Sequence, residues 1–451
     1  MNHTLKTIFT GLVMVALVNS TQTIRAQGKD NPAPLKITIA DAISMALKNS
    51  KQVKVNLAKI DEAKADLQVA KDRKLPDVTI SGSYLRLNNP NINLAKSSSS
   101  SSSGSSSGGG VDVSQAVYGL ANVSYPIYSG LRIRNGITAS EYLEKAVELD
   151  ADNDKEGIAL NVISAYISLY KSRAAVDLVN ENLKQSKQRD SDFSNLEKNG
   201  LLARNDLLKA NLQTSNFELS LLDAESNAKL ANVGLALLLG VPEQTEIQID
   251  STSLQFPQEV KVLSDYEQMA FDNRKDVQAL TYRGKAAATG IQAVKGEMYP
   301  SVALGGGYVA ADIPGFLSIT NAVNVSVGVQ YSLSSLWKTK AKIQQVTAKQ
   351  QQLMASQEGL TDNIRYQVNQ AYQGWLLSNK KIEVYAKAID QATENYRITK
   401  NKYNNSLATT TDLLDADVAQ LQAKLNYSFA KSDAIVAYNK LMEVTGMINT
   451  K

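Results

Sequence analysis

From Val323 to Leu333 apolar and polar residues alternate. Val323, Val325, Val327, Val329, Tyr331 and Leu333 share one side, and Asn324, Ser326, Gly328, Gln330 and Ser332 share the other. A period of two sustained over about eleven residues predicts a strand. Val117 to Ile127 alternates in the same sense, with Tyr118 and Leu120 interrupting its polar side. Two more alternating runs follow prolines: Val78–Tyr84 after Pro76, and Val302–Ala310 after Pro300. The rest of the chain reads differently. The nine prolines leave 127–241 and 315–451 without any, and these stretches are rich in Ala, Leu, Lys, Gln, Glu and Asn. Long uninterrupted helices need such composition. A turn signal divides each stretch, Asn199-Gly200 in the first and Asn404-Asn405-Ser406 in the second, where Gly and Asn tolerate a left-handed backbone. A helix of about 60 residues is about 90 Å long, so the chain predicts rods joined to short strands.

The pattern occurs twice. An offset of 224 pairs Asp41 with Asp265, Met45 with Met269, Asn49 with Asn273, Pro76 with Pro300, Gly82 with Gly306 and Tyr84 with Tyr308. An offset of 206 then pairs Val123 with Val329, Tyr125 with Tyr331, Asp206-Leu207-Leu208 with Asp412-Leu413-Leu414, and Gly240 with Gly446. The change of offset falls where the first copy carries a Ser/Gly tract, Ser97–Gly110, which has the composition of a flexible loop. The expected organisation is a leader over 1–26, a first repeat over 27–240, a linker over 241–262 with Pro242 and Pro257, a second repeat over 263–446 and a tail over 447–451.

The leader prediction rests on Lys6, the apolar run Ile8–Val18 and Ala26 before Gln27, the layout of a secretory signal. No Cys follows it, which removes a lipid anchor. The chain of 451 residues has one His, His3 in the leader, and no Cys. That composition excludes thiol and imidazole nucleophiles, zinc sites of the usual kind and disulfides. The net charge is +4, so nothing draws the chain to nucleic acid. Past the leader no run is apolar and long enough for a membrane helix, so any entry into a membrane would be through strands. Strands of about ten residues fit a tilted crossing of a bilayer. Alternation alone serves a soluble sheet with one wet face equally well. Four strands cannot close a barrel, since the smallest membrane barrels have about eight; several chains would have to share one.

The order helix, Pro76, strand, loop, strand, long helix, Asn199-Gly200-Leu201 turn, long helix, all repeated, resembles the TolC-like outer membrane efflux proteins. So do the junction Tyr125-Pro126-Ile127-Tyr128-Ser129-Gly130 and the second tip, Asn405-Ser406-Leu407 through Asp412-Leu413-Leu414-Asp415-Ala416. The resemblance implies a mainly α fold with a membrane β-barrel portion. Three copies would give a homotrimeric 12-stranded barrel among outer membrane lipids, continued by a helical tube in the periplasm. It implies the exit duct of a tripartite efflux pump or type I secretion system, docked to a periplasmic adaptor and an inner-membrane transporter. Such a duct has no enzymatic activity and calls for no cofactor or metal. The rival of another class is a secreted helical rod with a scaffold role, against which the four strands and two copies speak.

The resemblance also assigns residues. Asp412 and Asp415 would narrow the periplasmic end as rings of carboxylates, and a hydrogen bond between Asp206 and Tyr403 would hold that end closed. Asn199, Gly200 and Leu201, with Asn405, Ser406 and Leu407, would be the adaptor-docking tips. Ser406 in place of a Gly suggests two unequal tips. The family's gate Arg is absent, Ala408 standing in its place, with Arg204 near the first tip as a candidate substitute. The serine tract and Asp312–Asn321 would be extracellular loops, and Tyr331 and Trp337 candidates for an aromatic girdle.

Overall fold

A computed structural model describes residues 34–88, 113–250, 261–314 and 317–448. The expected leader, the Ser/Gly tract, residues 251–260 of the linker and residues 449–451 of the tail lie outside the described residues. The first copy runs β1 (Leu35–Ile37), α1 (Ile39–Asn49), α2 (Lys51–Asp72), β2 (Asp77–Arg86), β3 (Gln115–Tyr128), α3 (Arg132–Lys198) and α4 (Arg204–Leu239). The second runs β4 (Ile247–Ile249), α5 (Leu263–Asn273), α6 (Lys275–Lys295), β5 (Ser301–Ile313), β6 (Leu317–Gln330), α7 (Ser335–Asn404) and α8 (Thr410–Val444). At 67 and 70 residues, α3 and α7 are each about 100 Å long.

The helix before each strand pair is broken once, which periodicity does not reveal. Ser50 has an extended ψ of 129°, and its hydroxyl accepts the N–H groups of Gln52 and Val53, capping α2. Arg274, 224 residues on, has ψ 128° and donates instead to Asp276, whose carboxylate accepts the N–H of Val277. Each break packs against the end of the copy's last helix. There Gly240 and Gly446, both at positive φ, close α4 and α8. A Cβ on Gly240 would lie 2.7 Å from Cβ of Asn49, and one on Gly446 would lie 3.0 Å from the backbone N of Arg274. Hence glycine recurs at this point in both copies.

Two cores sit at this level. Ala42, Ile43 and Ala46 of α1 pack on Ile163, Tyr166 and Ile167 of α3 and on Leu235 and Leu239 of α4. In the second copy, Tyr266 and Ala270 of α5 meet Ile364, Val368 and Trp375 of α7 and Leu441 of α8. Each fully buried Leu or Ile contributes about 1.5–3 kcal/mol. The linker adds a strand that the sequence does not announce: β4 pairs in parallel with β1, Leu35 opposite Ile247. The Tyr166 hydroxyl donates to the Ile37 carbonyl at 2.9 Å and so fastens this small sheet to α3.

The four alternating segments form one antiparallel sheet in the order β2-β3-β5-β6. β2 and β6 are its edges, and the sheet is open. Its register places Val78, Val123, Gly306 and Val325 in one row, and Ile80, Ala121, Tyr308 and Val323 in the next. One apolar face therefore runs across all four strands, and it is bare: Ile80 is 84 % and Val325 79 % exposed. The opposite face carries Thr79, Asn122, Gly307 and Asn324 in one row and Asp77, Ser124, Gly305 and Ser326 in another. Gly305 and Gly307 leave room for their neighbours: a Cβ on Gly305 would meet the Ser326 hydroxyl at 2.7 Å. Pro126 sits in the interior strand β3, where a shift in register beside it removes the need for its missing N–H. Two expectations shift at the strand ends. β6 stops at Gln330, leaving Tyr331 and Leu333 beyond it, and strands occupy most of the expected loop 312–321, up to Ile313 and from Leu317.

Candidate functional site

At the far end of the rods the two tips close in the same way. After α3, the Gly200 N–H donates to Glu197 O and the Leu201 N–H to Leu196 O, at 2.9 and 2.8 Å. After α7, the Ser406 N–H donates to Tyr403 O and the Leu407 N–H to Lys402 O, at 2.9 and 2.8 Å. Asn199 and Asn405 each donate a side-chain N–H to the carbonyl four residues earlier, at 2.7 Å. This is the glycine-type helix ending, and Ser406 adopts it at φ +58° where Gly200 has +73°. The substitution of Ser406 thus leaves the two turns alike. Leu201 and Leu407 stand 75 % and 76 % exposed at the outermost points of both.

The tips differ one step later, where the next helix begins. α8 opens on a reciprocal cap: the Asp412 N–H donates to the Thr409 hydroxyl, and the Asp412 carboxylate accepts from the Thr409 hydroxyl and N–H at 2.7 and 2.8 Å. The Thr409 hydroxyl, then its N–H, hold the Asp412 carboxyl below the usual carboxylate range. In the first copy the equivalent cap position is Ala203, with no side chain to offer. Asp206, the counterpart of Asp412, pairs instead with Lys209 at 3.4 Å, and Lys209 donates on to the Thr411 hydroxyl at 3.2 Å. Lys209 stands at the offset where the second copy has Asp415, so this bridge ties the start of α4 to the start of α8. Asp415 is exposed, with no hydrogen bond or ion pair among the described residues.

Asp206 and Tyr403 line one cavity of about 780 Å³ together with Leu201, Ser406, Ala408, Lys209 and Thr411. Within the chain they have separate partners. Tyr403 stacks on Phe193 with ring centroids 5.6 Å apart, and Arg204 pairs with Glu197 at 3.2 Å rather than with either of them.

Behind the tips lies an ion pair that the sequence reading missed. Arg189 of α3, 9 % exposed, donates through both Nη atoms to one oxygen of Asp417 of α8, which is fully buried. Its signal was a charge within an apolar stripe, since Leu413, Asp417 and Leu421 follow at one-turn spacing. The partner, 228 residues away, leaves no such trace.

A second missed group lies at the level of the cores. Glu156 of α3 is pushed up to about 7, chiefly by burial, which outweighs Lys275 and is helped by Glu443. Between the ordinary value of 4.5 and about 7 the folded chain holds the proton that the unfolded chain has lost, so stability falls as pH rises through that window. Glu156→Gln should remove this part of the slope in melting temperatures taken from pH 5 to pH 8. An unchanged slope would show that Glu156 is ordinary.

Among the described residues no helix is long and apolar enough to cross a membrane, whereas one whole face of the sheet is apolar and uncovered. The class this geometry defines is a mainly helical rod that carries at one end an open four-stranded sheet with an uncovered apolar face. The pattern of the outer membrane efflux proteins matches residues 42–241 and 267–447, and the chain belongs to that family. Outer membrane efflux protein BepC of Brucella suis biovar 1 (strain 1330) is 22 % identical over 424 residues, which cover 92 % of this chain and 86 % of that protein. A membrane protein from Pseudomonas aeruginosa superimposes with a TM-score of 0.78 at 16 % identity, over 90 % of each chain. The open state of the MtrE outer membrane channel of Neisseria gonorrhoeae does so with 0.71 at 17 % identity, over 92 % of this chain and 90 % of that one.

Proposed function

We propose that the protein is the outer membrane exit duct of a tripartite efflux pump or a type I secretion system and performs no chemistry of its own. The bare apolar face across a sheet with two open edges carries this reading. In three copies, β6 of one chain pairs with β2 of the next and the twelve strands close, with the polar rows of Thr79, Asn122, Asn324 and Ser326 toward the lumen. The helices have matching edges. Leu208, Leu212, Leu219, Leu222, Leu230 and Leu237 line one exposed side of α4, and Leu377, Val384 and Ile398 one exposed side of α7. α4 packs on α3, and α7 on α8 and α6, so each stripe is left for a neighbouring copy.

In this trimer the helices extend through the periplasm and the tips Asn199-Gly200-Leu201 and Asn405-Ser406-Leu407 receive the adaptor. An inner-membrane transporter stands behind it. Their exposed leucines are the apolar contacts that such docking needs. Asp412 and Asp415 form the acidic constriction, and of the two Asp415 is free to face the aperture, because the cap engages Asp412. Asp206 and Tyr403, already in one cavity, close the end by meeting across it. In planar bilayers the protein should conduct, and multivalent cations added on the tip side should block it. Asp415→Asn should weaken that block about tenfold or more, through loss of a ring of three charges, and Asp412→Asn should weaken it less. Block left unchanged by Asp415→Asn would remove Asp415 from the constriction, and absence of conductance from assembled protein would remove the duct.

A further inference from the structure

A cavity of about 400 Å³ opens between α2, α3 and α6, about 70 Å along α3 from the tip turn. α2 lines it with a stripe at one-turn spacing, Asn56, Lys59, Glu62 and Asp66, and α3 with the half-buried Asp150 and Asp154. Arg283 of α6 engages Asp150, which neutralises one carboxylate of the set. Among the described residues the side chains of Lys59, Glu62, Asp66 and Asp154 make no hydrogen bond or ion pair. The described carboxylates are spread along two helices and form no metal-binding group.

Two details set this cavity apart from a solvated charged face. Lys59 and Glu62 are three apart on one helix, the spacing at which Lys145–Glu148, Lys380–Glu383 and Lys440–Glu443 close ion pairs at 2.8, 2.7 and 2.7 Å. Here the pair stays open and both side chains line the cavity. Asn56 is only 3 % exposed. Its Oδ1 accepts from Gln52 Nε2 at 3.4 Å, while its Nδ2 is buried without a hydrogen-bond partner. A buried donor that has lost water and gained no acceptor is unfavourable. So are the like charges four apart, Glu62 with Asp66 and Asp150 with Asp154. An acceptor beside Asn56 and a cation between the acids would relieve both.

We propose that this cavity binds a small zwitterion. Asn56 Nδ2 and the Lys59 ammonium donate to its carboxylate, and Glu62 and Asp66 accept from its ammonium. Asp154 leaves the cavity net negative, so the ammonium is required and a simple anion is rejected. The donor pair and the acid pair are centred between six and seven positions apart on α2, about 10 Å along its axis. A free α-amino acid, whose charged groups are two bonds apart, is too short to reach both. A longer ω-amino acid or a short peptide with free ends has the needed span, and the two share the recognised chemistry. The site lies outside every part assigned to the duct.

The test is calorimetric titration of the full chain in detergent with ε-aminocaproate, triglycine, glycine and cadaverine, with circular dichroism to verify the helices. ε-Aminocaproate and triglycine should saturate the protein, and glycine and cadaverine should bind at least about tenfold more weakly. Lys59→Gln and Glu62→Gln, both at exposed positions, should each weaken ε-aminocaproate about tenfold or more. Saturation by only one of the two long zwitterions supports the site and tells an ω-amino acid from a peptide. The proposal is overturned by absence of saturable binding of either up to about 10 mM, by glycine or cadaverine binding as tightly as ε-aminocaproate, or by unchanged affinity in either variant. None of these outcomes bears on conductance, so the duct reading stands or falls separately.

Discussion

Val325→Arg should stop the sheet from entering a bilayer while leaving the helices folded. Val325 lies in the middle of β6, 79 % exposed on the apolar face, in one row with Val78, Val123 and Gly306. A cation at the depth of the hydrocarbon costs a membrane strand about 2–4 kcal/mol, and three copies would each bear that cost. Thr79→Arg is the proper comparison: Thr79 is exposed on the same sheet, but on the face of Asn122 and Asn324, where a charge meets water and costs little. The measurement is the yield of heat-modifiable oligomer in the outer membrane fraction. Equal yields for the two variants would mean that the apolar face does not meet lipid, and the duct reading would fall with it.

The second large effect lies where the strands hand over to the helices. Gly130, just before α3, approaches Gly296, just after α6, so closely that a Cβ on Gly130 would lie 2.2 Å from the Gly296 carbonyl oxygen, and one on Gly296 2.4 Å from that of Gly130. Gly130 is at φ +63° and Leu131, which carries a side chain, at +65°, so the local backbone already holds an unfavourable conformation. Gly296 has φ −58°, a helical value open to any residue, and only space demands glycine there. Gly296→Ala should therefore cost more than about 3 kcal/mol, since backbone on both sides must yield. Gly200→Ala supplies the scale: at φ +73° with nothing within 4 Å of its Cβ, it should lose only about 1–2 kcal/mol. Urea unfolding followed by helical signal compares the two, and a Gly296→Ala loss no larger than that of Gly200→Ala would show that the crossing relaxes freely.

The sequence disclosed what repeats and what alternates. The rods, the four strands and the position of both tip turns could be read from proline spacing, period-two runs and Asn-Gly signals, because each is a local preference. The breaks at Ser50 and Arg274 were not, since one capping residue within an otherwise helical composition changes no periodicity. The β1–β4 pairing joins two three-residue strands more than 200 positions apart, too short for a pattern of their own. At the tips the turn residues were recognised, but the partners of the charges were not. Nothing local says that the Asp412 carboxylate turns back to Thr409 while its counterpart Asp206 turns to Lys209, except that Thr409 can cap and Ala203 cannot. Arg189 and Asp417 escaped for the same reason as β1 and β4: the contact is made in space and not along the chain.

The open sheet also governs how such a protein can come to exist. Along β2 and β6 the backbone donors and acceptors of the outer edges have no strand partner among the described residues, and hydrocarbon supplies none. In the proposed trimer a lone subunit would complete its helices but have no membrane form of its own, so arrival in the bilayer would follow encounter among like copies rather than the folding of one. Abundance then matters as much as stability. In such an assembly a defective copy that folds its rods but cannot seal a strand edge would do more than fail by itself, because each ring it joined would disable its healthy neighbours.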